Sequence, residues 1–184
     1  MQLILDFAKT LLLSHLKEDG IYVDFTMGNG FDTLFLAEHT NGDIYAFDIQ
    51  QTAIENTTKL LKQHQINHVN LILDSHSNLK QYLQQPIDAG IFNLGYLPNG
   101  DKSITTRTET TLTAVQSALE LLSDTGILVI VLYPGHMQGK TESLQVEDFC
   151  KKLNASAYHV LKYDFINQNH PPYLIAIKKR HLKK

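Results

Sequence analysis

Val23-Asp24-Phe25-Thr26-Met27-Gly28-Asn29-Gly30-Phe31-Asp32-Thr33 reads as a strand, a tight turn and the start of a helix. An apolar run, Ile21–Thr26, leads into it and has the length and content of a buried strand. A helical pattern, Asp32–Glu38, leaves it. Between them two glycines allow a sharp turn and a close approach of backbone to ligand. A lone Gly-x-Gly is a weak signal. Here it joins a strand to a helix, and a second strand candidate, Asp43–Asp48, follows and ends in an acid. An acid at that place can take both hydroxyls of an adenosine ribose.

Further strand candidates are Val69–Asp74, Ile87–Asn93, Gly126–Tyr133, Ala157–Tyr163 and Tyr173–Lys178. Helical patterns fall at Leu3–Leu16, Thr52–His64, Leu79–Gln84, Thr106–Leu122 and Glu142–Leu153. Strands separated by helices of this length make βαβ units and a parallel sheet with helices on both faces. Only Asp164–Pro172 separates the last two strands, too little for a helical crossover, so they should pair as an antiparallel hairpin. The expectation is a Rossmann-like α/β fold with a seven-stranded sheet, six strands parallel and one antiparallel. No repeat or linker divides residues 1–184, which read as one domain.

Composition narrows the classes. The chain has 184 residues, 43% hydrophobic and 19% charged, an ordinary globular content. No run approaches a membrane span, and the N-terminus reads as an amphipathic helix rather than a leader. Cys150 is the single cysteine, so no internal disulfide can form, which suits a cytoplasmic protein. It falls in a helical pattern and reads as a buried structural thiol. No Cys/His cluster has zinc-site spacing, so no metal is expected. The net charge of −3 excludes a generally basic nucleic-acid binder, although the chain ends in a basic run that includes Arg180.

The first loop also speaks to the ligand. NAD and S-adenosylmethionine share the ribose that Asp48 would hold. A dinucleotide fingerprint ends in a small residue and leaves the helix start free for pyrophosphate. This chain has Thr33 there, and Asp32 places a carboxylate in the first helical turn. With Asp24 and Asp48 nearby, a cationic ligand without phosphate, S-adenosylmethionine, fits better. Candidate cofactor contacts from this loop are Asp24, Met27, Gly28, Asn29, Gly30, Asp32 and Thr33. Asp48 and Gln50 follow at the second strand. Asp74, Ser75 and His76, ending the third, should face the adenine side, although Ser75 could equally cap the helix after it.

The fourth strand ends in Asn93-Leu94-Gly95-Tyr96-Leu97-Pro98, followed by Asn99-Gly100-Asp101-Lys102-Ser103. A side-chain amide, a backbone carbonyl and an aromatic ring there can hold an amine with its lone pair aimed at a methyl group. Asn93 and Tyr96 are the positioning candidates; Asp101, His76 and His136 are candidate proton acceptors. Lys102 and Arg107 could reach phosphate, with Thr105 beside them as an RNA contact or a helix cap. His170 lies in an Asn167–Tyr173 run that resembles a rigid recognition loop, and it and Arg180 are further candidate RNA contacts.

With these residues placed, the chain resembles the class I methyltransferases. More narrowly it is similar to the bacterial tRNA 5-aminomethyl-2-thiouridine methyltransferases. The resemblance rests on VDFTMGNGFDTLFLA, AFDIQ, DSH, FNLGYLPNGDKSITT, YPGH and NQNHPPYLIAIKK, in that order. It implies that Asn29, Asp32, Asp48, Gln50, Ser75 and His76 contact the cofactor and that the Asn93–Ser103 loop receives the wobble uridine of a tRNA anticodon stem-loop. It further implies a homodimer with no obligatory protein partner. Phe31 stands where the family commonly has His, and Asn99 near a family glycine. Thr26 replaces the glycine usual in class I loops, a substitution this family shares. Competing readings are a methyltransferase acting on rRNA or a small amine, an NAD-binding Rossmann protein, and a non-catalytic RNA-binding module.

Overall fold

The computed structural model describes residues 1–95 and 106–180. The elements in chain order are α1 (Ile4–Leu13), β1 (Ile21–Asp24), α2 (Phe31–His39), β2 (Asp43–Asp48), α3 (Gln51–Gln63), β3 (Val69–Leu73), a 3₁₀ turn (His76–Asn78), α4 (Leu79–Tyr82), β4 (Ile87–Asn93), α5 (Thr108–Leu121), β5 (Leu122–Leu132), α6 (Met137–Lys151), β6 (Tyr158–Tyr163) and β7 (Tyr173–Lys179). They build one seven-stranded sheet of order β3-β2-β1-β4-β5-β7-β6.

Strand order reverses at β1, whose neighbours β2 and β4 both run parallel to it. Crevices at such reversals are where open α/β sheets take their ligands. β7 is antiparallel to both β5 and β6. The hairpin expected between the last two strands is present, and β7 slots between β5 and β6 instead of lying at the sheet edge.

Period-two alternation along β5 divides the core. Ile127, Val129 and Val131 face the cluster under α1 and α2, while Leu128, Ile130 and Leu132 face the cluster under α4, α5 and α6. α3 packs beside α2 against β2 and β3. Helices therefore cover both faces, which is why the central strands read as continuous apolar runs. Truncating a fully buried residue such as Leu128 to Ala should cost about 2–5 kcal/mol.

Three boundaries differ from the sequence reading. β5 begins at Leu122, directly after α5, because Leu122 already pairs with Ile87 before the register shifts to Ala89–Ile127. α6 begins at Met137, not Glu142, and includes Gly139. Glycine ordinarily argues against a helix interior, but a Cβ here would sit 2.2 Å from the Tyr133 carbonyl oxygen. Packing demands the residue that propensity disfavours. Finally, the helix expected at Leu79–Gln84 is a 3₁₀ turn followed by one α turn. Cys150 is buried, and burial with the nearby Glu147 charge pushes its thiol up to about 12, so it is an inert core residue.

Candidate active site

A cavity of about 1000 Å³ opens at the carboxyl ends of the parallel strands. Its base is aromatic. Phe25 and Phe47 line it, and the Phe25 ring stacks on Phe92 at 4.0 Å between centroids. The loop after β1 supplies one wall. Gly28 and Gly30 there have φ of +51° and +84°, left-handed values that favour glycine. Gly30 is doubly constrained, since a Cβ would also meet the Thr57 side chain at 2.7 Å.

Asp48 sits at the end of β2 and joins that loop to its own. Its carboxylate accepts from the Gly28 N–H at 3.0 Å and the Gln50 N–H at 2.9 Å. These two bonds leave acceptor capacity on both oxygens. Burial raises its pKa, and the backbone bonds oppose that shift. Asn29 lines the cavity with its Oδ1 held by Asn56 Nδ2 at 3.0 Å.

Two more carboxylates stand behind and beside this wall. Asp32 lines the cavity; burial raises its pKa, against the lowering influence of the Asn93 amide and of Lys9. Asp24 is fully buried and does not line the cavity. Burial and the Asp32 charge push it up to about 7, despite the bonds from Thr33 Oγ1 (2.6 Å) and the Thr26 N–H. The three acids concentrate negative potential that a cationic ligand would relieve and a phosphate would worsen.

At the end of β3, Asp74 accepts four hydrogen bonds: one from the Ser75 N–H, one at each oxygen from Asn78 Nδ2, and one from the Tyr82 hydroxyl. Burial acts to raise its pKa, but these bonds outweigh it and hold the group below the ordinary value. A carboxylate offers about four acceptor directions, so Asp74 builds the turn. Ser75 Oγ caps the 3₁₀ turn at the Ser77 N–H while also lining the cavity. His76 is nine-tenths buried, and its Nδ1 lies 3.0 Å from the Phe25 carbonyl. A carbonyl only accepts, so Nδ1 carries the proton and Nε2 is bare. Burial lowers the pKa and keeps the ring neutral.

Asn93, ending β4, lines the cavity beside Asp32, to which its Nδ2 donates at 3.1 Å. Tyr133, ending β5, is held neutral, its phenol pushed up to about 12 by burial and the Asp32 charge. His136 lines the cavity at the start of α6. Its Nδ1 accepts from the Gly139 N–H at 3.1 Å and caps α6. With Nδ1 used as an acceptor, Nε2 is the ring nitrogen left to carry a proton.

The structure thus gathers Met27, Gly28, Asn29, Asp32, Asp48, Gln50, Asp74, Ser75, His76, Asn93, Arg107, His136 and His170 around one cavity. Asp24, Gly30 and Thr33 are buried behind its wall and do not line it. Tyr96, Asp101, Lys102 and Thr105 lie outside the described residues. Arg180 is elsewhere. β7 runs from Tyr173, next to Pro172 on the cavity wall, to Lys179 beside the start of β5. Seven residues at about 3.4 Å each put Arg180 roughly 20 Å from the mouth, where its guanidinium bonds the Ala155 carbonyl. Sequence reasoning missed Thr26, Phe31, Ile49 and Tyr133 on the cavity wall. Each sits within or next to a motif that drew attention, and Tyr133, the first residue of YPGH, is the titratable one among them.

The family described as "Putative rRNA methylase" matches residues 44–178. The chain belongs to this family. It is 36% identical over 171 residues to a chloroplastic tRNA (mnm(5)s(2)U34)-methyltransferase from Arabidopsis thaliana, a match covering 86% of this chain and spanning 62% of that protein's length. A family structure from Clostridium thermocellum superposes with a TM-score of 0.96 at 43% identity, over 98% of this chain and 99% of that one. A Streptococcus mutans methyltransferase structure, 39% identical with a TM-score of 0.92 over 98% and 99%, is in complex with SAH. The fold of this chain is the Rossmann-like methyltransferase fold. Among the described residues no group of His, Cys, Asp or Glu could hold a metal, and no helix is long and apolar enough to cross a membrane.

Proposed function

We propose that this chain transfers a methyl group from S-adenosylmethionine to the aminomethyl nitrogen of 5-aminomethyl-2-thiouridine at the tRNA wobble position, giving 5-methylaminomethyl-2-thiouridine. The observation that carries the reading is the neighbourhood of Asp48, Asp32 and Asn93 on one cavity wall: an acceptor for a ribose, a carboxylate for a cationic ligand, and an amide placed to hold an amine. The chloroplastic relative bears the name of this activity, and the Streptococcus mutans relative binds the demethylated cofactor.

S-adenosylmethionine supplies an electrophilic methyl on a sulfonium. This chain's residues do the rest by placement. Asp48 would hold the ribose hydroxyls, with Gly28 and Gly30 letting the backbone close upon the ligand. Asn93 would accept from one amine N–H and so steer the lone pair. Catalysis of this kind is chiefly positional, and correct alignment of reacting atoms accounts for most of the rate. Arg107 and His170 at the rim are the cationic and polar groups available to the surrounding RNA. An unpaired anticodon loop suits such a cavity because its bases can be splayed out. The same reading takes residues 1–184 as one domain and the working form as a cytoplasmic homodimer.

The test is a methyl-transfer assay with labelled S-adenosylmethionine on tRNA from cells lacking this gene and, in parallel, from intact cells, each digested to nucleosides for mass analysis. Label on 5-aminomethyl-2-thiouridine from the first sample alone supports the reading. Transfer to neither, with SAH binding intact, rejects it and moves the substrate search to rRNA.

A further inference from the structure

Asn93 is gripped at two points by the loop that follows β1. Its backbone N–H donates to Thr26 Oγ1 at 2.8 Å, and its Nδ2 donates to Asp32 Oδ2 at 3.1 Å. Thr26 is itself tied down, its own N–H donating to Asp24 Oδ1 at 3.1 Å. Thr26 stands where class I loops ordinarily carry glycine, which could make no such bond. Both Thr26 and Asp32 line the cavity beside Asn93.

The second contact selects one of two orientations of the Asn93 amide. An ionised carboxylate only accepts, so Nδ2 must face Asp32 and Oδ1 must face the other way. Oδ1 engages no described group. An amide turned over would offer N–H donors to an incoming amine, which repel its N–H groups and compete for the lone pair that must attack.

We propose that Thr26 and Asp32 are positioning residues that lock Asn93 so that its side-chain carbonyl, not its NH₂, receives the substrate amine. The inference rests on the amine-methylation reading above. Thr26 sets where the end of β4 lies, and Asp32 sets which amide atom is presented. The loop that cradles the cofactor thereby also aligns the nucleophile. In the reaction the amine lone pair forms the N–C bond, the C–S pair returns to sulfur, and the surplus N–H proton leaves to solvent; neither positioning residue changes its bonding.

The experiment compares Thr26→Val, Thr26→Ser and Asp32→Asn in methyl transfer to tRNA at saturating S-adenosylmethionine, with SAH affinity measured by calorimetry. Thr26→Val, which keeps the shape and loses the acceptor, should lower kcat about tenfold or more, since small misplacements are costly in positional catalysis. Its SAH Kd should stay within about threefold, as only the hydroxyl facing Asn93 is lost. Thr26→Ser should recover most of the loss. Asp32→Asn, which can donate to Asn93 Oδ1 and turn the amide over, should lower kcat by a similar factor even at cofactor saturation. Retained kcat in both Thr26→Val and Asp32→Asn overturns the proposal, as does a fall in kcat matched by an equal fall in SAH affinity. If Thr26→Val does not fold, Asp32→Asn decides alone. Should wild-type protein methylate no amine, the functional reading fails separately. The clamp is then read from hydrogen exchange of the Asn93 side-chain amide in the SAH complex. Slow exchange in wild type and fast in Asp32→Asn supports it, and equal rates overturn it.

Discussion

Asp24 and Asp88 lie on the paired strands β1 and β4 but at opposite ends of the sheet, and their surroundings are opposite too. Asp88, at the amino end, accepts from Lys17 Nζ at 2.8 Å, Ser123 Oγ at 3.0 Å and the Ile21 N–H at 3.3 Å. Burial acts to raise its pKa, but Lys17 and these bonds win and hold it below the ordinary value. Asp24, at the carboxyl end, is pushed up to about 7 by burial and then by its charged company, Asp32 and Asp48. One acid is neutralised within the chain and stitches the bottom of the sheet together. The other belongs to a set whose charge is left for something outside the chain to balance. Carboxylates that only stabilise are paired; those beside a ligand site are held at some cost to the fold.

Four measurements test that contrast. The largest effect belongs to Asp48→Ala, which should weaken SAH binding about 100-fold because hydrogen bonds to a charged acceptor are lost; calorimetry with near-normal affinity would remove Asp48 from the site. Asp88→Ala should do the reverse, leaving SAH affinity alone while lowering unfolding free energy by about 1–2 kcal/mol in urea titration. Loss of cofactor affinity there would mean that the two ends are not separable.

The pH dependence of the ligand-free protein should also split by end. Asp24 binds its proton more tightly folded than unfolded, so its contribution is fully present below about pH 4 and is lost as pH rises toward 7. Asp88 binds its proton less tightly folded, so its contribution is present above about pH 4 and is lost as pH falls below that. Asp24→Asn should flatten the decline in Tm between pH 4 and 7. A decline of unchanged slope would show that Asp24 is not its source. The smallest effect expected is on RNA. Arg107→Ala at the cavity rim should weaken tRNA binding about three- to tenfold and reduce the salt slope by about one. Arg180→Ala, at the far end, should change it less, and the opposite ranking would place the RNA mainly along the amino end.

Much of the site was legible because its residues lie within short motifs at strand ends. Asp48, Asn29, Asp32 and Asn93 were each found from their place after a strand, and all four line the cavity. The hairpin of β6 and β7 followed from a connection too short for a helix. What escaped were relations between segments distant in sequence. Nothing local distinguishes Thr33, which is buried against Asp24, from Thr26, which reaches Asn93 across 67 positions. Nor could the sequence tell that His136 spends Nδ1 on the start of α6, because the helix itself was hidden by Gly139.

Local sequence was enough for the alternation of strands and helices, the turn at Gly28 and Gly30, and the acids at the ends of the first two strands. Those features depend on local periodicity and backbone freedom, which neighbouring residues set. Which carboxylates are neutralised, which His nitrogen carries a proton and which face of the Asn93 amide is offered came from the folded arrangement. Charge balance and hydrogen-bond direction depend on groups brought together across the sheet, and those partners exist only once the chain has folded.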